Sequence, residues 1–443
     1  MALQASVNLP HEPASKLGHL NVVQSKWVKS LIDDFENVTF DKVENIASSW
    51  NEFTSPVEPL NHIWATDGSF VSIKSNGPKP HKEVAFVKTA LLSIDKYKLD
   101  KIDKEYPHPL LLQDIMSESG VFHATVFPLS NVKTSHGNNY DSIRHIINDS
   151  LKIDQNGAFF ETLKWLAYKK WTNTINNSPS FECPHCHIDV PNGLSYNVDE
   201  GNCPSCNELV FLSDMIGFHL DMNEDTAPEA IASSYMLIME HLMIFTAVRL
   251  LWNHTDTSLV SNTLFIKDGP LTLRSQYAKL VPNIREFLEF SKNLGRPVHI
   301  IGQEKSGVFF DHLETISRRV KPLDIKENLH YCVLTHEYVR KEVYRSPELS
   351  TPYGKRTNWG EKIFVKLDPN TNLVLNIPTG NYNPSKDFPI YSDLIGLNRI
   401  LSTLPSLISR KYSGALYPIE LANGIASMSS YPSAKILQNF IDS

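Results

Sequence analysis

The sequence predicts an α/β protein: a β-sheet core flanked by helices and carrying an inserted cysteine module. Three observations lead there. Ile63-Trp64-Ala65-Thr66-Asp67-Gly68-Ser69 and Leu264-Phe265-Ile266-Lys267-Asp268-Gly269-Pro270-Leu271 are apolar runs that read as buried strands, and each stops at Asp-Gly. Other segments repeat apolar residues at helical spacing. Cys183-Pro184-His185-Cys186 and Cys203-Pro204-Ser205-Cys206 are separated by sixteen residues, the spacing of a four-cysteine structural zinc site.

Taken in order, residues 20 to 54 are expected to be helical, with Leu20, Val23, Trp27, Leu31 and Phe35 on one stripe. Residues 61 to 74 and Val84 to Ile94 predict a long hairpin around Ser75-Asn76-Gly77-Pro78, with Asp67 on its first arm. Residues 140 to 177 read as largely helical, with Trp165, Tyr168 and Trp171 as packing groups. The cysteine module follows, and Pro228, after the cap candidates Asp225 and Thr226, opens a long apolar helix. Strands are expected at 262 to 268 and 297 to 302, a basic loop from Lys341 to Trp359, and a hairpin from Lys362 to Leu367 and Leu373 to Ile377. Helices broken by loops close the chain from Tyr391. The implied layout is a helical segment at 1–54, the first part of the core at 55–180, the zinc-ribbon insertion at 181–212 and the rest of the core at 213–443.

The chain has 443 residues, 41% hydrophobic and 21% charged, as expected for a soluble globular protein of two or three domains. A net charge of -7 excludes a generally basic nucleic-acid coat, so any nucleic-acid contact must use local patches. The first twenty residues lack the apolar core of a signal peptide. The most apolar stretch, 231 to 252, contains Glu240, His241 and Arg249, so neither a membrane span nor a membrane partner is expected. Four of the five cysteines form the CxxC pairs, which suits a cytoplasmic metal site better than a disulfide framework. Cys332 is expected in the core, and His185 and His187 as bystanders to a filled sulfur shell.

The acidic residues carry the functional reading. Strand side chains alternate faces, so Ile63, Ala65 and Asp67 share one face, as do Leu264, Ile266 and Asp268. Glu240 has Met236, Met243, Ile244 and Ala247 as helical neighbours and therefore points into the core. Three buried carboxylates need cationic company. Divalent ions, magnesium or manganese, would supply it and activate a water toward a phosphate. Neither Asp-Gly has the Thr or Ser of an aspartic protease, and there is no Walker loop and no serine nucleophile elbow.

The same residues resemble the NurA nucleases. Ala65-Thr66-Asp67-Gly68-Ser69 is similar to that family's first motif, Glu240 to its helix-borne glutamate, and Phe265 to Leu271 to its second Asp-Gly motif. Ile300-Ile301-Gly302-Gln303-Glu304-Lys305-Ser306, Phe364-Val365-Lys366-Leu367 with Asn376-Ile377-Pro378, and Tyr417 to Ala426 resemble the later motifs in the same order. The resemblance spans about residues 60 to 430 and implies an RNase H-like mixed sheet. It also implies manganese-dependent cleavage of DNA, a homodimer, and a HerA-like hexameric ATPase as partner, in DNA repair or anti-phage defence. Two departures stand out. Asn423, a weaker ligand, occupies a position where the family often has His or Asp, and Glu420 and Asp393 are further candidate ligands for a second metal; the zinc module is an addition.

By this reading Asp67, Glu240 and Asp268 hold Mn²⁺ or Mg²⁺, Lys305 steadies the scissile phosphate, and Cys183, Cys186, Cys203 and Cys206 hold structural Zn²⁺. Arg340, Lys341, Arg345, Lys355 and Arg356, interleaved with Tyr344, Tyr353 and Trp359, form either a single-strand DNA contact or a solvated loop. The competing functions are a non-catalytic zinc-ribbon scaffold that recruits an ATPase to DNA, and an RNase H-like enzyme acting on RNA.

Overall fold

A computed structural model describes residues 25–33, 50–77, 79–101, 120–222, 229–319, 329–345, 352–368, 370–409, 415–428 and 433–442. The chain divides into two compact units, Met1–Ala47 and Ser48–Ser443. In the first, helix α1 (Lys26–Asp33) carries Trp27 and Leu31 of the expected stripe. Leu20, Val23 and Phe35 lie outside the described residues.

The second unit is built on a nine-stranded mixed sheet. Its strands are β1 (Asn51–Glu52), β2 (His62–Lys74), β3 (Glu83–Asp95), β4 (Gly120–Ser130), β5 (Thr263–Asp268), β6 (His299–Glu304), β7 (His330–Val333), β8 (Gly360–Asp368) and β9 (Thr371–Pro378). Across the sheet they run β1-β7-β8-β9-β6-β5-β2-β3-β4. β2, β3 and β4 form an antiparallel meander. β5 joins β2 in parallel, β6 joins β5 in parallel, and the remaining neighbours are antiparallel. The helical expectation for residues 51 and 52 fails because the β7 edge gives that backbone ladder partners.

The helices of seven or more residues in this unit are α2 (Asn139–Ile153), α3 (Ala158–Ala167), α4 (Ala230–Trp252), α5 (Val281–Asn293), α6 (Val308–Arg319), α7 (Leu397–Thr403), α8 (Tyr417–Ala426) and α9 (Ser433–Asp442). The alternation of the strands sends Ala85, Val87, Phe265 and Ile300 to the face covered by α4. It sends Ile63, Ala65, Leu264, Ile266 and Ile301 to the face covered by α7 and α8. α4 is long and apolar enough to cross a membrane, yet most of its residues are buried in the core between the sheet and α3. Its expected start signals, Asp225, Thr226 and Pro228, lie outside the described residues.

Two further expectations need correction. The helical region at 140–177 is broken where Gln155 and Asn156 take φ near +50°, and it ends at Ala167, so residues 168 to 177 are turns, bends and irregular chain. Trp165 and Trp171 pack as expected, both against Phe287, at 4.6 and 5.3 Å between ring centroids. The segment read as a loop from Lys341 includes a π-helical turn, Val339–Tyr344, and its last residue, Trp359, is a core side chain.

Candidate active cleft and cysteine centre

β2 and β5 pair in parallel only as far as Thr66 and Lys267. Beyond that point β2 continues along β3, β5 ends in Asp268-Gly269, and a cleft opens between them. Its walls include Asp67, Gly68, Glu240, Lys267, Asp268 and Lys305. A ligand crevice at the carboxyl ends of parallel strands is the usual place for a site in such a sheet.

The acidic groups reach the cleft from opposite faces. Asp67 and Asp268 continue the rows of Ile63, Ala65, Leu264 and Ile266 on the α8 side. Glu240 descends from α4 onto Gly68, where a Cβ would stand 2.8 Å from its Oε1 and 2.5 Å from Met236 Cγ. Glycine at 68 is what lets the helix carboxylate approach the strand so closely.

Each of two carboxylates already has a lysine. Lys267 Nζ lies 2.6 Å from Glu240 Oε2, with side chains 1% and 5% exposed, and also donates to the carbonyl of Asp268 at 2.5 Å. Lys305 Nζ lies 3.0 Å from Asp268 Oδ2 at the more open end of the cleft. Burial still pushes the Glu240 carboxyl up, and Lys267 pulls it back. Among the described residues no lysine reaches Asp67 at contact distance: its Oδ1 accepts the amide of Gly68 at 2.7 Å. Burial, then the nearby charges of Asp268 and Glu240, raise its pKa to about 8, against the smaller opposing pull of the Gly68 amide and Lys305. An acidic group held out of its charged form by burial and by two neighbouring carboxylates would gain from a cation, and the oxygen-rich donor set suits Mg²⁺ or Mn²⁺. The three carboxylates are not drawn into one tight cluster, however. Among the described residues only two other groups bring three ligand atoms all within 4.8 Å of one another.

Other expected site residues fall elsewhere. Glu420 is half-buried and Asn423 exposed on α8, and neither lines the cleft. Asp393 caps its own turn, its Oδ2 accepting the Ile390 amide at 2.9 Å. None of Arg340, Lys341, Arg345, Lys355 and Arg356 lines the cleft either. Lys341 pairs with Glu337 at 2.5 Å, while Lys355 and Arg356 stand exposed on a turn. Trp359 is 1% exposed, packed on Phe245 and His241, so it is closed to a nucleic-acid base.

Sequence reasoning missed Lys267. Strand alternation puts Lys267 on the face opposite Asp268, but that this face lies under Glu240 follows only from how α4 crosses β2 and β5. It also missed Glu304, another cleft residue, whose Oε1 accepts from Lys362 Nζ and, at 2.7 Å, from Asn376 Nδ2.

The four cysteines form the second centre. Cys183 and Cys206 Sγ are 3.8 Å apart, as are Cys186 and Cys203 Sγ, and all four sulfurs lie within 4.8 Å of one another. Each CxxC turn is made the same way. The amides of His187 and Asn207 return to the carbonyls of Cys183 and Cys203, with φ of 58° and 61°. The amides of His185 and Ser205 point at Cys183 and Cys203 Sγ, both at 3.4 Å. Four sulfurs close a tetrahedral shell and leave no position for substrate. His185 bonds to Leu209 O and Arg144, and His187 to Glu182, which leaves both outside the sulfur cluster. The module packs into the main core through Phe181, Val190, Leu194 and Val210. Arg144 of α2 ties it down through the buried Asp214, at 2.9 Å. Cys332 is a buried core thiol, as expected.

No protein-family model matches the chain, and no curated protein matches its sequence. Among solved structures the chain is similar over nearly its whole length to NurA nucleases. One, from Sulfolobus solfataricus, is 10% identical, with 97% of this chain and 96% of that chain covered and a TM-score of 0.35. Another, NurA bound to dAMP and manganese, is 11% identical over 97% of both chains at a TM-score of 0.32. A third, NurA with manganese, is 13% identical, covering 96% of this chain and 97% of that one at a TM-score of 0.30.

Proposed function

We propose that this chain is a metal-dependent DNA nuclease of the NurA type. The observation that carries the reading is the cleft at the ends of β2 and β5, lined by the buried Asp67 and Glu240, the half-buried Asp268 and two lysines, with Asp67 left short of positive charge. The strand connectivity supports an RNase H-like core: a β2-β3-β4 meander followed, through α4, by β5 and β6 parallel to β2. The ordered motifs from Asp67 to the Tyr417 helix support the same family.

Asp67 and Asp268 would hold a Mn²⁺ or Mg²⁺ ion, with Glu240 as a further ligand. When bound, the ion supplies Lewis-acid polarisation of the phosphate and a more acidic water. Lys305, a third exposed beside Asp268, is placed to neutralise phosphate charge. Lys267 fixes the Glu240 carboxylate and opposes the effect of burial on its charge. Zn²⁺ at the four cysteines is structural. A homodimer and a HerA-like hexameric translocase are the proposed assembly, in DNA repair or anti-phage defence.

The test is cleavage of end-labelled single- and double-stranded DNA, and of RNA, with Mn²⁺, by wild type and Asp67→Ala, with and without a HerA-like ATPase. Manganese-dependent DNA cutting that is lost in Asp67→Ala supports the nuclease. No cutting by wild type with an active partner present favours the scaffold reading, and preferential cutting of RNA changes the substrate class.

A further inference from the structure

Away from the cleft, the turn joining β4 to α2 lays His136 against His145. Their ring centroids are 4.0 Å apart and their planes within 8°. Asp149 follows His145 by one helical turn on the same face of α2. His136, His145 and Asp149 have ligand atoms all within 4.8 Å of one another, the only such group besides the four cysteines among the described residues. None of the three lines the cleft.

The backbone around the group is held at several points. Thr134 bridges to Gly137, and its hydroxyl bonds that of Ser142 on α2. Asn138 caps the helix by accepting the Asp141 amide at 2.8 Å. The Phe211 ring, at the end of the second cysteine hairpin, stands edge-on to His145 at 5.0 Å and closes the inner side. His145 is half-buried, while His136 is exposed.

The geometry points to a second transition-metal site at His136, His145 and Asp149, suited to Zn²⁺ or a neighbouring late first-row ion. Two imidazoles and one carboxylate are the donors such ions prefer, and three protein ligands leave a fourth position for water. Bonds of about 2.0–2.2 Å in a tetrahedron put donors roughly 3.3–3.6 Å apart, so the group must close slightly around the ion. His145 and Asp149 are fixed by the helix. The exposed His136 is the arm that closes, by rotation about its Cβ–Cγ bond. The ion staples the β4–α2 turn to the helix whose Arg144 holds the cysteine module through Asp214 and Leu209 O. This inference stands independently of the nuclease reading.

The test is a zinc titration of the full chain, its four cysteines already loaded, followed by calorimetry and by metal analysis after desalting. Asp67→Asn is carried in every protein so that the cleft does not contribute to the difference. The parent is compared with His136→Ala and with Asp149→Asn. The parent should retain one more zinc than either variant, bind that equivalent at least ten-fold more tightly, and show a zinc-dependent rise in melting temperature that both variants lack. His136→Ala alters an exposed turn, so its fold is checked by the unchanged melting temperature in the absence of added zinc. Co²⁺ bound at this equivalent should add weak visible d–d bands without new sulfur charge-transfer absorption. Equal zinc content and equal thermal shifts in all three proteins would overturn the site.

Discussion

Lys267 and Glu240 form a closed ion pair, Nζ to Oε2 at 2.6 Å, with almost no solvent at either group. Removing one member of such a pair leaves an uncompensated buried charge, which costs about 3–5 kcal/mol. Lys267→Met should therefore destabilise the fold by that order. The double variant Lys267→Met, Glu240→Gln should recover much of the loss, because the stranded charge is gone. Denaturant unfolding of the four members of the cycle reads the coupling directly. Additive losses would mean the pair is not closed in solution.

Asp67 gives a pH prediction. Its carboxyl holds a proton up to about pH 8 in the folded chain, against the ordinary 3.8, because burial and two neighbouring carboxylates disfavour its charge. Between those values the folded state binds more protons than the unfolded one, so stability is full below the lower pKa and falls as pH rises toward the upper one. Asp67→Asn removes this dependence. Without metal, its stability advantage over wild type should grow between pH 5 and pH 8, by on the order of 1 kcal/mol per unit. Mn²⁺ should reverse the trend in wild type alone, and its binding near pH 7 should release protons, measurable by calorimetry in buffers of different ionisation enthalpy. Parallel pH profiles for the two proteins would count against a protonated Asp67.

The cysteine centre predicts one tightly held zinc bound by its four sulfurs. Because Cys183 and Cys203 are buried and the module contributes Phe181 and Val210 to the main core, losing the ion should loosen more than the two hairpins. Cys203→Ser should lower stability by at least about 3 kcal/mol and release zinc to a chromogenic chelator. Cys332→Ala, which removes a core thiol outside the centre, should leave the zinc content unchanged.

The parts of this molecule that follow a local period could be read from the chain. The β2–β3 hairpin, the strands ending at Asp268 and Glu304, and the two CxxC turns each follow from alternation or spacing within a few residues. What the chain could not show was which residue a distant helix would meet. Glu240 is recognisable as a core-facing carboxylate, but its partner depends on how α4 lies over β2 and β5, so Lys267 went unseen. The same limit explains Trp359. It follows a basic, turn-rich stretch and looks like a stacking platform, whereas packing against Phe245 places it in the core. Asp393 shows the opposite error: an acidic residue near the right motif that serves its own turn.

Gly68 tests whether the contact between strand and helix matters to the site. An added methyl would meet Met236 Cγ at 2.5 Å and Glu240 Oε1 at 2.8 Å. The methionine end is flexible and can move aside. The carboxylate is held by Lys267 and can yield only by breaking that contact or by carrying α4 outward. Gly68→Ala should therefore cost about 1–3 kcal/mol in stability, as overpacking does. It should cost more in function, with Mn²⁺-dependent DNA cleavage falling at least ten-fold while the protein remains folded. Adding Met236→Ala to Gly68→Ala separates the two contacts. If that double variant regains stability but not cleavage, the displaced Glu240 is the cause of the lost activity. If it regains both, Met236 alone was in the way, and the approach of Glu240 to the strand is not required for cutting.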